Sequence, residues 1–195
     1  MTCIQILKQG IAGIALAIIT LSAQADWLVQ PSSEVSFVTT KNLNKSEVHT
    51  LSDVKGVMTD DGAVDISIAL SSLETGIPIR NERMLEMLFA AVDFPDIKVS
   101  SEAVSSDALE AIKSGAVASF EQPAKLTIRD QSIDISLKLV ASFSADGTLL
   151  VSTASPVLID ARTLGLDVGV DALRTVAGLE SISYLVPVSF VLTLK

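Results

Sequence analysis

Residues Asp65 to Ser101 read DISIALSSLETGIPIRNERMLEMLFAAVDFPDIKVSS. The stretch begins and ends as a strand. Val64, Ile66, Ile68 and Leu70 alternate with Asp65, Ser67, Ala69 and Ser71, the period of a half-buried strand. Met84, Leu88 and Ala91, with Met87 beside them, recur at the spacing of a helix with one apolar face. Pro95 cannot continue that helix, and Ile97 and Val99 open the next strand. A short apolar helix laid across the ends of two strands predicts a barrel with a cap.

The same stretch carries Leu73-Glu74-Thr75-Gly76, then Arg80-Asn81-Glu82, then Leu88-Phe89 and Phe94-Pro95 before a strand. In this order and spacing the motifs resemble the signature of YceI-like proteins, with Asn81 where the family usually has Asp. The resemblance continues through Asp26-Trp27, Ser33, Phe37 and Lys41 at the start of the chain, Gly56, and Arg162 followed by Gly165. It implies a periplasmic, lipocalin-like antiparallel barrel that binds polyisoprenoids or similar amphiphiles. The ligand would be an isoprenoid, a quinone or another long-chain amphiphilic lipid.

The chain order agrees with a barrel. Residues 34–41, 47–58, 64–73, 97–104, 116–128, 133–139, 149–159 and 186–194 give eight predicted strands. Asp60-Asp61-Gly62 and Asp146-Gly147 are hairpin signals between them. Val48, Val54 and Val57 are the expected apolar members of the second strand, and Gly56 suggests a bend. The odd step from Leu70 to Leu73 calls for a bulge at Ser71-Ser72. Ser105 to Ser114 reads as a loop with a helical turn, and Asp171 to Ala177 as a short helix. The fold class is therefore all-β, an eight-stranded antiparallel barrel closed by its terminal strands.

Of the 195 residues, the first 25 read as a cleaved signal peptide. Lys8 supplies the basic end, Ile11 to Leu21 the apolar run, and Ala23-Gln24-Ala25 the small-x-small cleavage signal, with the cut after Ala25. The apolar run is well short of the ~20 residues of a membrane-spanning helix. Residues 26–195 form one domain. Cys3 leaves with the signal, so the mature chain is expected to carry no disulfide, thiol nucleophile or acylated N-terminal cysteine.

A formal charge of −9 argues against nucleic acid and anionic membrane surfaces as partners. Aromatic residues make up 4% of the chain, too few for platforms that stack bases or sugars. A homodimer stays open.

Catalytic chemistry has little to work with. His49 is the single histidine, so any Ser-His-Asp arrangement would have to use it, and a surface or hydrogen-bonded role is expected instead. One histidine also leaves a transition-metal site short of ligands. No cofactor and no enzyme activity are expected. Candidate cavity-lining residues are Phe37, Ile66, Ile68, Leu70, Met84, Met87, Leu88, Phe89 and Phe94. Methionines suit a surface that adapts to a lipid chain, although plain packing of helix on barrel would place them there equally well. Arg80 and Arg162 are the candidates either to fix the cap or to meet a polar head group. An eight-stranded barrel holds one small ligand or is filled by its own side chains. A carrier and a filled, non-catalytic interaction module of the cell envelope are thus both compatible with the sequence.

Overall fold

A computed structural model describes residues 26–195; the predicted signal peptide and its cleavage lie outside the described residues. Twelve antiparallel strands make one sheet. They are β1 (Trp27–Leu28), β2 (Glu34–Lys41), β3 (Lys45–Leu51), β4 (Val54–Met58), β5 (Val64–Ala69), β6 (Leu73–Glu74), β7 (Asp96–Ser101), β8 (Ala118–Ile128), β9 (Gln131–Phe143), β10 (Leu149–Thr153), β11 (Val157–Asp160) and β12 (Leu185–Leu194). Three helices accompany them: α1 (Pro78–Arg83), α2 (Ser106–Lys113) and α3 (Asp167–Val176).

The expected count of eight is corrected to twelve by four interruptions, the first a turn at Val29–Ser33 that divides β1 from β2. A corner at Ser52-Asp53 divides β3 from β4, a turn at Leu70–Ser72 divides β5 from β6, and Ala154-Ser155-Pro156 divides β10 from β11. The halves on either side keep common neighbours. β4 pairs with β5 while β3 pairs with β6, and β10 and β11 both pair with β12. Joined across these corners they are eight staves, and the pairing runs round the wall without an open edge between first and last. Closure uses β12 on β2, with β1 bonded to the end of β12 through Leu28 and Lys195.

The corners have local causes. Gly56 lies opposite Ile66, and a Cβ there would sit 2.3 Å from the Asp65 carbonyl oxygen. Only glycine allows the two strands to approach so closely at the bend. At Leu70–Ser72 the chain makes a single turn of 3-10 helix in place of the expected bulge, held by Ser72 Oγ donating to the Ala69 carbonyl at 2.7 Å. The corner at Ser52-Asp53 also shifts the parity of the second stave. Val48, expected inside, is 66% exposed, while Glu47, His49 and Leu51 face inward with Val54 beyond them.

The two ends differ. One is plugged by α2, whose N-cap Ser105 accepts from the Ala108 amide and whose buried Ile112 packs with Ala118, Ala141, Leu149 and Leu194. Trp27 meets Phe143 edge-on at 5.2 Å in the same plug. At the other end, α1 and α3 lie across the opening. Gly169 lets α3 touch the turn at Met84–Leu88 that follows α1, since a Cβ there would be 2.8 Å from both Leu88 Cα and the Met87 carbonyl oxygen. Among the described residues no helix is long and apolar enough to cross a membrane.

Candidate functional site

Between the plug and the cap lies a cavity of about 460 Å³, open at the capped end. The interior is therefore not filled by the barrel's own side chains. Its wall is hydrocarbon over most of its height: Val35 and Leu51 low on β2 and β3, Ile97 and Val99 on β7, and Val188 and Phe190 on β12, among others. Alternation explains this, because every second residue of each stave points inward and those residues are aliphatic.

The cap is built from residues 73–89. Asn81 Oδ1 accepts from the Thr75 amide at 3.0 Å and from the Thr75 hydroxyl, and Glu74 accepts from the Gly76 amide. Gly76, at φ +78°, supplies the left-handed turn this clamp requires. Arg80 donates Nη2 to the Thr75 carbonyl and Nη1 to Glu47 on β3, tying α1 to the wall. Past Arg83 the helix widens by one residue over Met84–Leu88, with the Phe89 amide bonding the Met84 carbonyl at 3.0 Å. This π-type turn, a feature frequent at functional sites, brings Phe89 onto the same inner face as Met84 and Leu88.

Of the sequence candidates, Phe37, Ile68, Met84, Leu88, Phe89 and Arg80 line the cavity together. Ile66, Leu70, Met87, Phe94 and Arg162 do not. Ile66 is buried one pleat nearer the plug, against Gly56, and Leu70 is buried in the turn between β5 and β6. Met87 is half-buried on the cap where its backbone meets Gly169. The half-buried Phe94 lies beneath the Arg129 guanidinium, 5.9 Å from ring centre to Cζ. Arg162 makes a two-point ion pair with Asp160 on the outer surface and covers the Tyr184 ring at 5.5 Å.

One part of the wall is polar, and sequence reasoning missed it. Up β2 and β3 the inward pairs change from Val35 and Leu51 to Phe37 and His49, then to Thr39 and Glu47, with Lys41 at the rim. Lys41 Nζ is 2.8 Å from Glu47 and Arg80 binds the same carboxylate oxygen. The Lys41 ammonium first, and then the Arg80 guanidinium, hold Glu47 below the ordinary carboxylate range against the opposing effect of burial. His49 is 1% exposed, bonds Thr39 Oγ1 through Nε2 at 2.8 Å, and meets Phe37 edge-on. Burial first, and then the neighbouring Arg80 charge, push its pKa below the usual histidine value, which favours the neutral ring. The Arg83 side chain completes the rim.

Residues 27–194 match the YceI-like domain. The chain belongs to the YceI-like family. Its fold is similar to a polyisoprenoid-binding domain from Saccharophagus degradans implicated in plant cell wall breakdown, with 29% identity and a TM-score of 0.81 over 88% of this chain and 98% of that one. It is also similar to BcnA of Burkholderia cenocepacia, at 15% identity and a TM-score of 0.59 over 83% of this chain and 95% of that one, a likeness of fold. No curated protein matches the chain. In this YceI-like barrel the signature residues Glu74, Thr75, Gly76, Arg80 and Asn81 are bonded to one another, so the motif holds the cap over the cavity. Asn81 supplies the acceptor oxygen of this clamp, and its amide nitrogen donates to Glu74 at 3.4 Å.

Proposed function

We propose that the protein is a non-enzymatic periplasmic carrier for an isoprenoid or another long-chain amphiphile, quinones included. The observation that carries this reading is the capped, aliphatic cavity of about 460 Å³. At ~30 Å³ for each small group, the volume a water takes in the liquid, that space suits a chain of about fifteen carbons, or about three isoprene units. Each buried methylene contributes about 0.8 kcal/mol, a gross ~12 kcal/mol for the whole chain against an association cost of ~4–15 kcal/mol. Useful affinity therefore needs a close fit to the wall. The S. degradans domain, which binds polyisoprenoid, supports the ligand class. Cleavage after Ala25 would deliver the carrier to the periplasm, and N-terminal sequencing of protein recovered from the envelope checks this.

Native mass spectrometry of protein purified gently from its own envelope tests the carrier reading. A co-purifying lipid is the expected result. Protein that is repeatedly empty, and that stays empty when incubated with prenyl lipids, would favour the interaction module.

A further inference from the structure

The wall of the cavity has a seam between β9 and β11. β10 runs beside β9 until Thr153 faces Leu139, and the Ala154 amide makes the last bond, to the Lys138 carbonyl at 2.7 Å. Towards the cap the two separate. β11 pairs with β12 alone, and the Gln131–Leu137 part of β9 pairs with β8 alone. Among the described residues no ladder and no isolated bridge joins β9 to β11. Over the seam lies an outer groove of about 560 Å³. Its aliphatic side chains are Ile133 and Ile135 on one bank and Val157, Leu158 and Ile159 on the other.

Ile135, Val157 and Ile159 also line the cavity, so the same three residues bound both spaces. What closes the wall between them is the packing of side chains. Parting such a seam breaks no ladder hydrogen bond, the loss that keeps a paired stretch of sheet shut. On the outer side Leu158 is 60% exposed and Ile133 is half-buried, and neither lines the cavity. They leave aliphatic surface where a chain emerging through the seam would lie. A long chain has reason to emerge there. The cavity holds about fifteen carbons, α2 plugs the base, and the polar strip that ends at Lys41 suits the head to the mouth. We propose that the seam is a side exit for the ligand's chain. Prenyl chains longer than the ~three isoprene units that fill the cavity are then held with the head at the mouth and the far end in the outer groove. This deepens the carrier reading and rests on it.

Isothermal titration of the mature protein with farnesol and with geranylgeraniol, one isoprene unit longer, tests the two readings separately. Geranylgeraniol should bind about tenfold tighter, the gain from roughly two fully buried methylenes. Leu158→Asp, a change at an exposed position outside the cavity, should bring geranylgeraniol back to the affinity of farnesol and leave farnesol unchanged. Geranylgeraniol carrying a diazirine at the end remote from the hydroxyl should, on illumination, label residues 133–138 or 155–160. Geranylgeraniol binding no tighter than farnesol would overturn the side exit while sparing the carrier, and this outcome requires no variant to fold. Label at Ile77, Ile79 or Val176 of the mouth, or at Ile112 of the plug, would do the same, as would a Leu158→Asp protein that keeps the preference. Folded protein that binds neither alcohol would overturn the carrier reading and this inference with it.

Discussion

Gly169→Ala sets two well-known effects against each other. In an ordinary helix the change stabilises, by up to about 1 kcal/mol, because alanine is the better helix former. Here the added Cβ would lie 2.8 Å from Leu88 Cα, 2.8 Å from the Met87 carbonyl oxygen and 3.0 Å from Leu88 Cδ1. Favourable carbon contacts begin near ~3.5 Å, so α3 and the cap turn must separate by roughly 0.7 Å. Two of the three obstructing atoms are backbone and cannot rotate away. Overpacking of this kind costs ~1–3 kcal/mol. The net expectation is a loss of about 1 kcal/mol, which in a domain of this size lowers Tm by ~2–4 °C. Thermal unfolding followed by far-UV circular dichroism, with urea midpoints as a second measure, reads the sign directly. A Tm equal to or above the parent's would mean that α3 does not bear on the cap as closely as described, and the account of how the mouth is held would fall.

Other substitutions separate the cavity from its surroundings. Val188→Trp projects a large ring into open space and should abolish retention of a prenyl chain with little loss of stability; unchanged retention by native mass spectrometry would place the chain elsewhere. Met87→Glu and Arg162→Ala should leave retention at the parental level, since neither side chain lines the cavity, and a loss in either would redraw its boundary. Glu47 is stabilised as a carboxylate, so its contribution is present above the ordinary carboxylate pKa and is lost as pH falls through the lowered native value. Glu47→Gln should therefore cost up to about 1 kcal/mol at ~pH 7, as partly exposed ion pairs do, and lose less than the parent on acidification to ~pH 3. Urea midpoints that fall by equal amounts in both proteins would contradict this. For His49 the sign is the same for a different reason: a ring buried neutral must be charged at acid pH, so stability rises with pH across its range, and His49→Phe should flatten the curve between ~pH 7 and ~pH 5.

The alternation of aliphatic residues made the eight staves legible, and the Leu73 to Pro95 motifs made the cap legible. The sequence was least informative where a strand bends. Across Ser52-Asp53 the parity changes, so Val48 read as inward although it faces solvent, and the inward residues were the polar Glu47 and His49. Hydrophobic pattern alone assigns polar residues to the outside, and it fails where one strip of an inner wall is itself polar. His49 therefore read as a surface or hydrogen-bonded histidine, and it is the second, bonded to Thr39 and buried in the wall. A signal was present: in Glu47-Val48-His49-Thr50-Leu51, Leu51 shares the parity of His49, so burying one buries the other. Met87 was misplaced because regular helical spacing was assumed where the chain makes a wide turn, which moves Phe89 inward. The helix α3 begins at Asp167, ahead of the Asp171 expected; glycine is a poor helix former, so Gly169 in the first turn hid that start from the sequence pattern.

Trp27, the chain's single tryptophan, sits against Phe143 in the plug, at the opposite end from the mouth, and contributes nothing to the cavity wall. Its emission consequently reports whether the base of the barrel is intact and is silent about cargo. A titration followed by native fluorescence would record an inert protein even while the cavity filled, whereas the same signal isolates unfolding of the base from events at the entrance.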